Sequence, residues 1–438
     1  MRTRRKGACP RGNMAERIDD QDPRQRRRAP ADGTSAPSAG AAGPPWVLIA
    51  GGFHARGGMD RANAALAAHL LECGREVHLV AHAVDPHFAE NPRARLHLVP
   101  RPASSDLLGE LLLERRGREV ARAVTAARRG ARVVVNGGNC AWADVNWLHC
   151  VHHAWPPADA GAPLWFKVKN RLGGWCAQRR EKRAVRAARL VIANSERTRR
   201  DATVLLGVEG ERARTLYLGS DEACEPVTAG ARRAARAALG LGADGARPLV
   251  AFVGALGHDQ NKGLDTLWRA WAALREAGGW DARLVVAGGG RGLPHWRARA
   301  QREELGESIR LLGFTERVGE LLTAADLLVS PARYEAYGLN VHEAICRGVP
   351  ALVSRAAGVA ERYPPELSEM ILADPADAVE LAARLLAWRS EIDAWPARFA
   401  PLAEELRRRT WSDMAAEFVA LVEGAGAACA GERFARTA

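Results

Sequence analysis

Ser330-Pro-Ala-Arg-Tyr-Glu-Ala-Tyr-Gly-Leu-Asn-Val-His-Glu-Ala-Ile-Cys-Arg-Gly-Val-Pro350 is the stretch on which the fold turns. The apolar run Leu327-Leu-Val-Ser330 delivers the chain into it as a buried strand, and a loop containing Glu335 and Gly338 follows. A helix is expected from Leu339 to Cys346, and Gly348-Val-Pro350 then leads into the next apolar run, Ala351-Leu-Val-Ser354. Strand, loop, helix and strand in so short a span predict a parallel sheet covered by helices. A loop that feeds a helix N-terminus offers free backbone N–H groups and the positive end of a dipole, a natural seat for a phosphate. Glu335 on the loop and Glu343 one turn inside the helix flank that seat. Carboxylates repel an anion, so their chemistry there fits hydrogen bonding to ligand hydroxyls. Seen alone, the pair has a plainer alternative, an exposed loop glutamate and a helix-surface glutamate.

The same alternation extends in both directions. Downstream of Asp221 it includes the apolar runs Leu249–Val253, Leu284–Ala287 and Ile309–Leu312, with a helix from Leu264 to Ala277. Upstream, Trp46-Val-Leu-Ile-Ala50 breaks into Gly51-Gly52 and Gly57-Gly58, and a helical pattern runs from Arg61 to Cys73. Strands are expected at Val77–Val80, Val133–Val135, Val145–Val151 and Leu190–Ala193, with a long basic helix near 165–187. Two separate strand-helix series predict an α/β protein of two Rossmann-like, doubly wound domains facing a central cleft. The expected boundaries are a disordered basic tail over 1–44, an N-terminal domain over 45–218, a hinge over 219–245, a C-terminal domain over 246–408, and a last helix and tail over 409–438. Met1 and Met14 are both candidate starts.

With its neighbours, the opening stretch resembles the E-x7-E motif of the retaining, family-4 glycosyltransferases. Val253-Gly254-Ala255-Leu256 followed by Asn261-Lys262-Gly263 is similar to that family's first strand and Lys-Gly loop. Val285-Val-Ala-Gly288-Gly-Gly290, Leu312-Gly313-Phe314 and Ala324-Ala-Asp-Leu-Leu-Val329 follow in the family's order, and Gly57-Gly58-Met-Asp-Arg61 resembles its Gly-Gly loop. Leu190-Val-Ile-Ala-Asn-Ser195 is similar to its late strand and Ser turn. The resemblance covers about Trp46 to Glu423. It implies the GT-B fold, with the last helix crossing back to the N-terminal domain, and transfer of a sugar from a nucleotide diphosphate to a glycan or lipid-linked acceptor without a metal or other cofactor. Carried over by position, it gives Glu335 the donor sugar, Glu343 the ribose, and the N–H groups from Tyr337 through Gly338 and Leu339 to Asn340 the phosphates. Lys262 neutralises the departing diphosphate, and Gly254, Gly288 and Gly313 border the nucleotide. Gly57 and Gly58 form the loop on the acceptor side. The family also places a His near the donor sugar, for which His152 is the first choice here and His149 the second. One departure stands out: the family's Arg after the first-strand Gly is Ala255 in this chain, with His258 and Arg333 as candidate replacements.

Composition narrows the remaining classes. The chain has 438 residues and a net charge of +12, with 63 basic and 51 acidic side chains. Residues 1–44 hold 10 basic and 5 acidic side chains, residues 45–218 hold 27 and 16, and the remainder 26 and 30, so the N-terminal half meets something anionic. No apolar run approaches the roughly 18 to 20 residues that cross a bilayer. The basic N-terminus lacks a following apolar segment, so the cytoplasm is the expected compartment. The segment Leu164-Trp165-Phe166-Lys167 to Arg189 interleaves aromatic residues with cations, and Arg115 to Arg129 add more. Such a surface suits an anionic membrane face as a further partner and gives a peripheral location on the inner membrane. The eight cysteines are scattered without metal-ligand spacing, and His149, His152 and His153 complete no familiar metal set. No nucleic-acid module is present. A polyanion binder or a degenerate nucleotide-sugar binder remains as the alternative reading.

Overall fold

The structure is a computed structural model and describes residues 43–102, 106–155, 164–242, 247–258 and 260–435. The tail expected over 1–44 therefore lies outside the described residues, apart from Gly43 and Pro44. The first half runs Trp46–Ile49 (β1), Gly52–Phe53 (β2), Gly58–Glu72 (α1), Val77–Ala81 (β3), Ala83–Val84 (β4), Ala94–Leu98 (β5), Asp106–Ala127 (α2), Arg132–Asn136 (β6), Val145–Leu148 (β7), Leu164–Ala187 (α3), Leu190–Ala193 (β8), Glu196–Leu206 (α4) and Ala213–Thr215 (β9). The second half runs Ala229–Ala238 (α5), Leu249–Val253 (β10), Leu264–Glu276 (α6), Arg283–Ala287 (β11), Leu293–Arg302 (α7), Ile309–Gly313 (β12), Val318–Ala324 (α8), Leu327–Ser330 (β13), Leu339–Cys346 (α9), Ala351–Ser354 (β14), Ile371–Leu372 (β15), Ala378–Ser390 (α10), Trp395–Arg408 (α11) and Trp411–Ala435 (α12).

Two large sheets result, each parallel throughout, and β2 and β4 form a small parallel pair of their own. The first has the order β5-β3-β1-β6-β7-β8-β9 and the second β12-β11-β10-β13-β14-β15. In both, the first strand of the series lies inside and the order reverses beside it, the doubly wound arrangement whose ligands sit outside the carboxyl ends of the strands. Every residue of β1, β7, β8, β13 and β14 is buried, as expected for strands covered by helices on both faces. The helices carry local start signals: Ser195 caps α4 by accepting from Thr198 N–H, and Asp377 caps α10 by accepting from Val379 and Glu380 N–H.

The chain crosses between the sheets twice, and the crossings pair. Ser220 N–H donates to Arg409 C=O at 2.8 Å and Trp411 N–H donates to Ser220 C=O at 3.1 Å. Gly219 is required there, since a Cβ would stand 2.3 Å from the Thr410 carbonyl oxygen. Beyond this point α12 returns to the N-terminal sheet. Phe418 packs on Trp147 with ring centroids 4.6 Å apart, and Arg75 pairs with Glu423 at 2.9 Å.

Several elements depart from the sequence expectations. Helix α1 begins at Gly58, three residues before the apolar periodicity shows it. The strand expected over Val145–Val151 stops at Leu148, because side chains take the next backbone donors: Val151 N–H donates to the Tyr334 hydroxyl and His152 N–H to Glu181. Strands β5 and β9 and helices α7 and α8 carry mixed polar sequences that gave no clear period. Among the described residues, no helix is long and apolar enough to cross a membrane.

Candidate functional site

The two sheets direct their carboxyl ends at a cleft of about 680 Å³. On the C-terminal side, β13 ends at Ser330 and the following loop is fixed from beneath by Asn261. Its amide donates to Tyr334 C=O and accepts from Tyr334 N–H, both at 3.0 Å. The N-terminal domain grips the same loop from above. Ser195 Oγ and Thr198 Oγ1 both donate to Ala336 C=O, at 2.6 and 3.1 Å. Glu335 stands between these clamps and forms an ion pair with Lys262 Nζ. The Lys262 stem passes Gly254 so closely that a Cβ there would lie 3.0 Å from its Cγ. Glu335, Lys262, Gly254 and Ala255 all line the cleft.

Gly338 enters α9 with φ of 107°, a conformation that favours glycine. Its neighbours Leu339 and Asn340 present the helix N-terminus to the cleft, and the Asn340 amide donates to Val253 C=O at 3.1 Å, tying α9 to the end of β10. Across the cleft, Gly57 and Gly58 open α1, and a Cβ on Gly58 would stand 3.2 Å from Leu339 Cδ2. Two helix N-termini therefore meet at one place, where their dipoles add for an anion. Glu343, one turn into α9, accepts from Arg61 Nη1 at 2.6 Å, while Arg61 Nη2 pairs with Asp221. Burial raises the Glu343 pKa, against the opposing pull of Arg61 and Arg347. The Arg61 guanidinium also lies over the Trp411 ring at 5.4 Å.

The histidines divide differently from the sequence expectation. His149 follows β7 directly and lines the cleft, and burial lowers its pKa to about 3, so the imidazole is neutral. Its Nε2 and Asn194 Oδ1 are buried without a hydrogen-bond partner, and the Asn194 amide donates to His149 C=O at 3.2 Å. His152 sits on a short 3-10 turn and lines an adjoining pocket, with Nδ1 2.8 Å from Glu181. His149 thus lines both the cleft and the adjoining pocket, and His152 the adjoining pocket, where Lys262 and Glu335 are also found. Gly288 and Gly313 stand behind the rim, joined by a 2.9 Å hydrogen bond from Gly288 N–H to Gly313 C=O. A Cβ on Gly288 would collide with Gly254 C=O at 1.8 Å, so this glycine allows β11 to close on β10. The rim itself includes Phe314, Thr315 and Glu316. Arg333 is committed to Asp265 through contacts of 2.7 and 2.8 Å and does not replace the cation missing at Ala255.

Arg61 and Asn194 escaped the candidate set. Both belong to segments singled out in the sequence, but only the fold brings them against Glu343 and His149.

The two doubly wound sheets, the cleft between them and the crossing helix define a GT-B protein. A family model described as glycosyltransferase family 4 matches residues 56–223, and one described as glycosyl transferases group 1 matches residues 247–390. The chain belongs to this glycosyltransferase family. D-inositol 3-phosphate glycosyltransferase of Nocardia farcinica is 35% identical over 187 residues, 41% of this chain and 40% of that protein. Alpha-D-kanosaminyltransferase of Streptomyces kanamyceticus is 28% identical over 199 residues, 45% of this chain and 49% of that protein. The matched region spans less than half the length of either relative. Sucrose-phosphate synthase of Thermosynechococcus elongatus shares the fold with a TM-score of 0.68 at 21% identity, over 88% of this chain and 100% of that one.

Proposed function

We propose that the protein is a retaining glycosyltransferase that moves a sugar from a nucleotide diphosphate to a glycan, polyol or lipid-linked acceptor. The observation that carries this reading is the convergence of Lys262, Glu335, Glu343 and the N-termini of α1 and α9 on one cleft. The phosphates sit at the helix N-termini, Glu343 takes the ribose hydroxyls, and Glu335, His149 and Asn194 face the sugar. The acceptor hydroxyl attacks the anomeric carbon on the face from which the diphosphate leaves. The bond from that carbon to the phosphate oxygen breaks as the new glycosidic bond forms, and the hydroxyl proton passes to the departing phosphate. Charge neutralisation by Lys262 stabilises the leaving group. The names of the relatives support sugar transfer in general and leave the donor base to experiment. A degenerate binder is disfavoured because both Lys262 and Glu335 are in place.

A thermal-shift screen against UDP, GDP, ADP and their sugar conjugates tests the reading, since a ligand that binds the folded state alone raises its melting point. A nucleotide-selective shift lost in both Glu343→Ala and Lys262→Ala is the expected result. The absence of a shift with every nucleotide at millimolar concentration overturns it.

The acceptor side of this proposal extends to an anionic membrane surface at the inner face of the membrane. Leu164, Val168, Leu172 and Trp175 are exposed at helical spacing on α3, with the exposed Arg171 and Arg179 among them. Leu107, Leu108 and Leu111 at the start of α2 are exposed as well. Apolar side chains rimmed by cations match an anionic lipid interface. Sedimentation with vesicles that shows equal binding to anionic and neutral lipid rules this out.

A further inference from the structure

A cavity of about 480 Å³ lies between the two domains and shares no lining residue with the donor cleft. Helix α4 of the N-terminal domain brings Arg197 and Arg200 to it. The C-terminal domain brings Arg355 after β14, Glu361 and Glu369 from the turns that follow, and Arg384 on α10. The domains are in close contact beside it. Glu361 accepts from the Glu196 and Arg197 N–H groups at 2.9 and 2.5 Å and from the Tyr217 hydroxyl at 3.2 Å, and a Cβ on Gly358 would stand 2.6 Å from Ser195 Oγ. This first turn of α4 is also the one whose Ser195 and Thr198 hold the Glu335 loop through Ala336 C=O.

The charges around the cavity are unbalanced. Four guanidinium groups line it with two carboxylates, and Glu361 is already spent on the α4 N–H groups. Arg384 lies 3.5 Å from Glu380, and Arg197 lies over the Tyr334 ring at 5.2 Å with its Nε 3.7 Å from Asp201. Arg200 and Arg355 are exposed, and among the described residues neither guanidinium has a hydrogen bond or an ion pair. Arg200 acts on Glu196 and Asp201 only through its charge at longer range. Two uncommitted guanidinium groups, one from each domain, match a single anion that offers several oxygens. Among the described lining residues none is aromatic and the apolar part of the wall is aliphatic, so a nucleobase would find nothing to stack on.

We propose that this cavity is an effector site for a small phosphate-bearing anion, a phosphate ester or free inorganic phosphate, held between Arg200 and Arg355, and that its occupancy clamps α4 to the C-terminal domain and so steadies the Glu335 loop. Glu369 is the carboxylate that opposes the anion. The effector and the donor cleft are coupled through α4 alone, by way of the Ser195 and Thr198 hydrogen bonds to Ala336 C=O. The site itself stands whether or not the donor cleft takes a nucleotide diphosphate.

Calorimetry at constant ionic strength tests the site on the full chain, with inorganic phosphate, pyrophosphate and ribose 5-phosphate as probes and ribose as the neutral control. The Lys262→Ala chain is the background for every comparison, so that the donor cleft competes less for the probe. Binding of a phosphate probe that weakens about tenfold or more in Arg200→Gln/Arg355→Gln, through loss of charged hydrogen bonds, and strengthens in Glu369→Gln is the expected result. Damage to the fold does not produce the strengthening. Preference for ribose 5-phosphate assigns the site to a phosphate ester and the reverse order to the free inorganic anion, and either supports the proposal. With the probe bound, amide hydrogen exchange in residues 196–206 and 331–340 should slow about twofold or more. No binding of any phosphate probe at millimolar concentration, equal affinity in the background chain and the double arginine variant, weaker binding in Glu369→Gln, or unchanged exchange in both segments each overturns the proposal.

Discussion

Acidification should unfold this protein through histidines that the fold holds neutral, and His342 on α9 is the clearest case. The Tyr337 hydroxyl lies 2.7 Å from its Nδ1, and Ser220 Oγ lies 2.7 Å from its Nε2. Ser220 spends its own proton on Leu406 C=O at 2.8 Å, so Nε2–H donates to Ser220 and Nδ1 accepts from Tyr337. Every polar atom is satisfied by the neutral ring, and a second proton on Nδ1 would displace the Tyr337 O–H from its acceptor. Burial, reinforced by Arg362, Arg61 and Arg409 against the opposing charge of Asp221, lowers the His342 pKa to about 3. The folded pKa therefore lies below the unfolded value of about 6.5, and the unfolded chain takes up a proton that the folded chain refuses. Stability is lost as the pH falls below about 6.5. At pH 5 the gap is about 1.5 units, and at about 1.4 kcal/mol per unit His342 contributes a loss of about 2 kcal/mol. Urea unfolding followed by tryptophan fluorescence at pH 7.5 and pH 5.0, on wild type and on His342→Gln, isolates this contribution. The hydrogen bonds lost by the substitution weaken the variant at both pH values and cancel in the difference. The wild type should lose about 2 kcal/mol more than the variant between the two pH values. Equal losses would refute the reasoning, because they would mean that His342 titrates alike in the folded and unfolded chains.

Three further outcomes follow from the same contacts. Ala255→Arg places a second cation beside Lys262 and should tighten nucleotide diphosphate binding about tenfold, the effect of one charged hydrogen bond, as read by calorimetry. Unchanged affinity would show that the phosphates lie elsewhere. Gly263→Ala puts a Cβ 1.9 Å from Pro331 C=O at a residue with φ of 74°, so Lys262 and the Glu335 loop are forced apart. The expected loss is on the order of 1–3 kcal/mol in unfolding experiments, with nucleotide binding weakened as well. Phe418→Ala removes a fully buried ring from Trp147 and should cost about 3–5 kcal/mol, measured by denaturant midpoint. A loss below about 1 kcal/mol would mean that α12 does not hold the domains together through this contact.

The sequence made the parallel architecture legible because strands such as Leu327–Ser330 and Leu190–Ala193 are buried on both faces and read as unbroken apolar runs. Edge strand β5, Ala94–Leu98, has no fully buried residue and showed no such run. The candidate site was legible wherever a local backbone rule applied: Gly338 before α9, Gly57 before α1, and Lys262 before the left-handed Gly263. It was illegible wherever function depends on which side chain meets which. At Gly288 a ligand and a neighbouring strand impose the same demand for a missing Cβ, since a Cβ there would meet Gly254 C=O at 1.8 Å, so the sequence alone does not separate the two. The placement of His149 and His152 on different walls depends on Glu181, about thirty residues away in sequence, which holds the His152 N–H and Nδ1 beyond the end of β7.

The cleft holds its charges in mutual pairs, and this bears on how a donor enters. Lys262 is tied to Glu335, and Arg61 to Glu343 and Asp221, so the groups assigned to phosphate, sugar and ribose neutralise one another. Such pairing lets carboxylates sit in a half-buried site, where an isolated charge is costly. On the glycosyl-transfer reading, a diphosphate that draws Lys262 releases Glu335 toward the sugar hydroxyls in the same movement. A bare sugar offers no charge to separate the pair, so it leaves Lys262 and Glu335 joined. On that reading the nucleotide gates its own sugar.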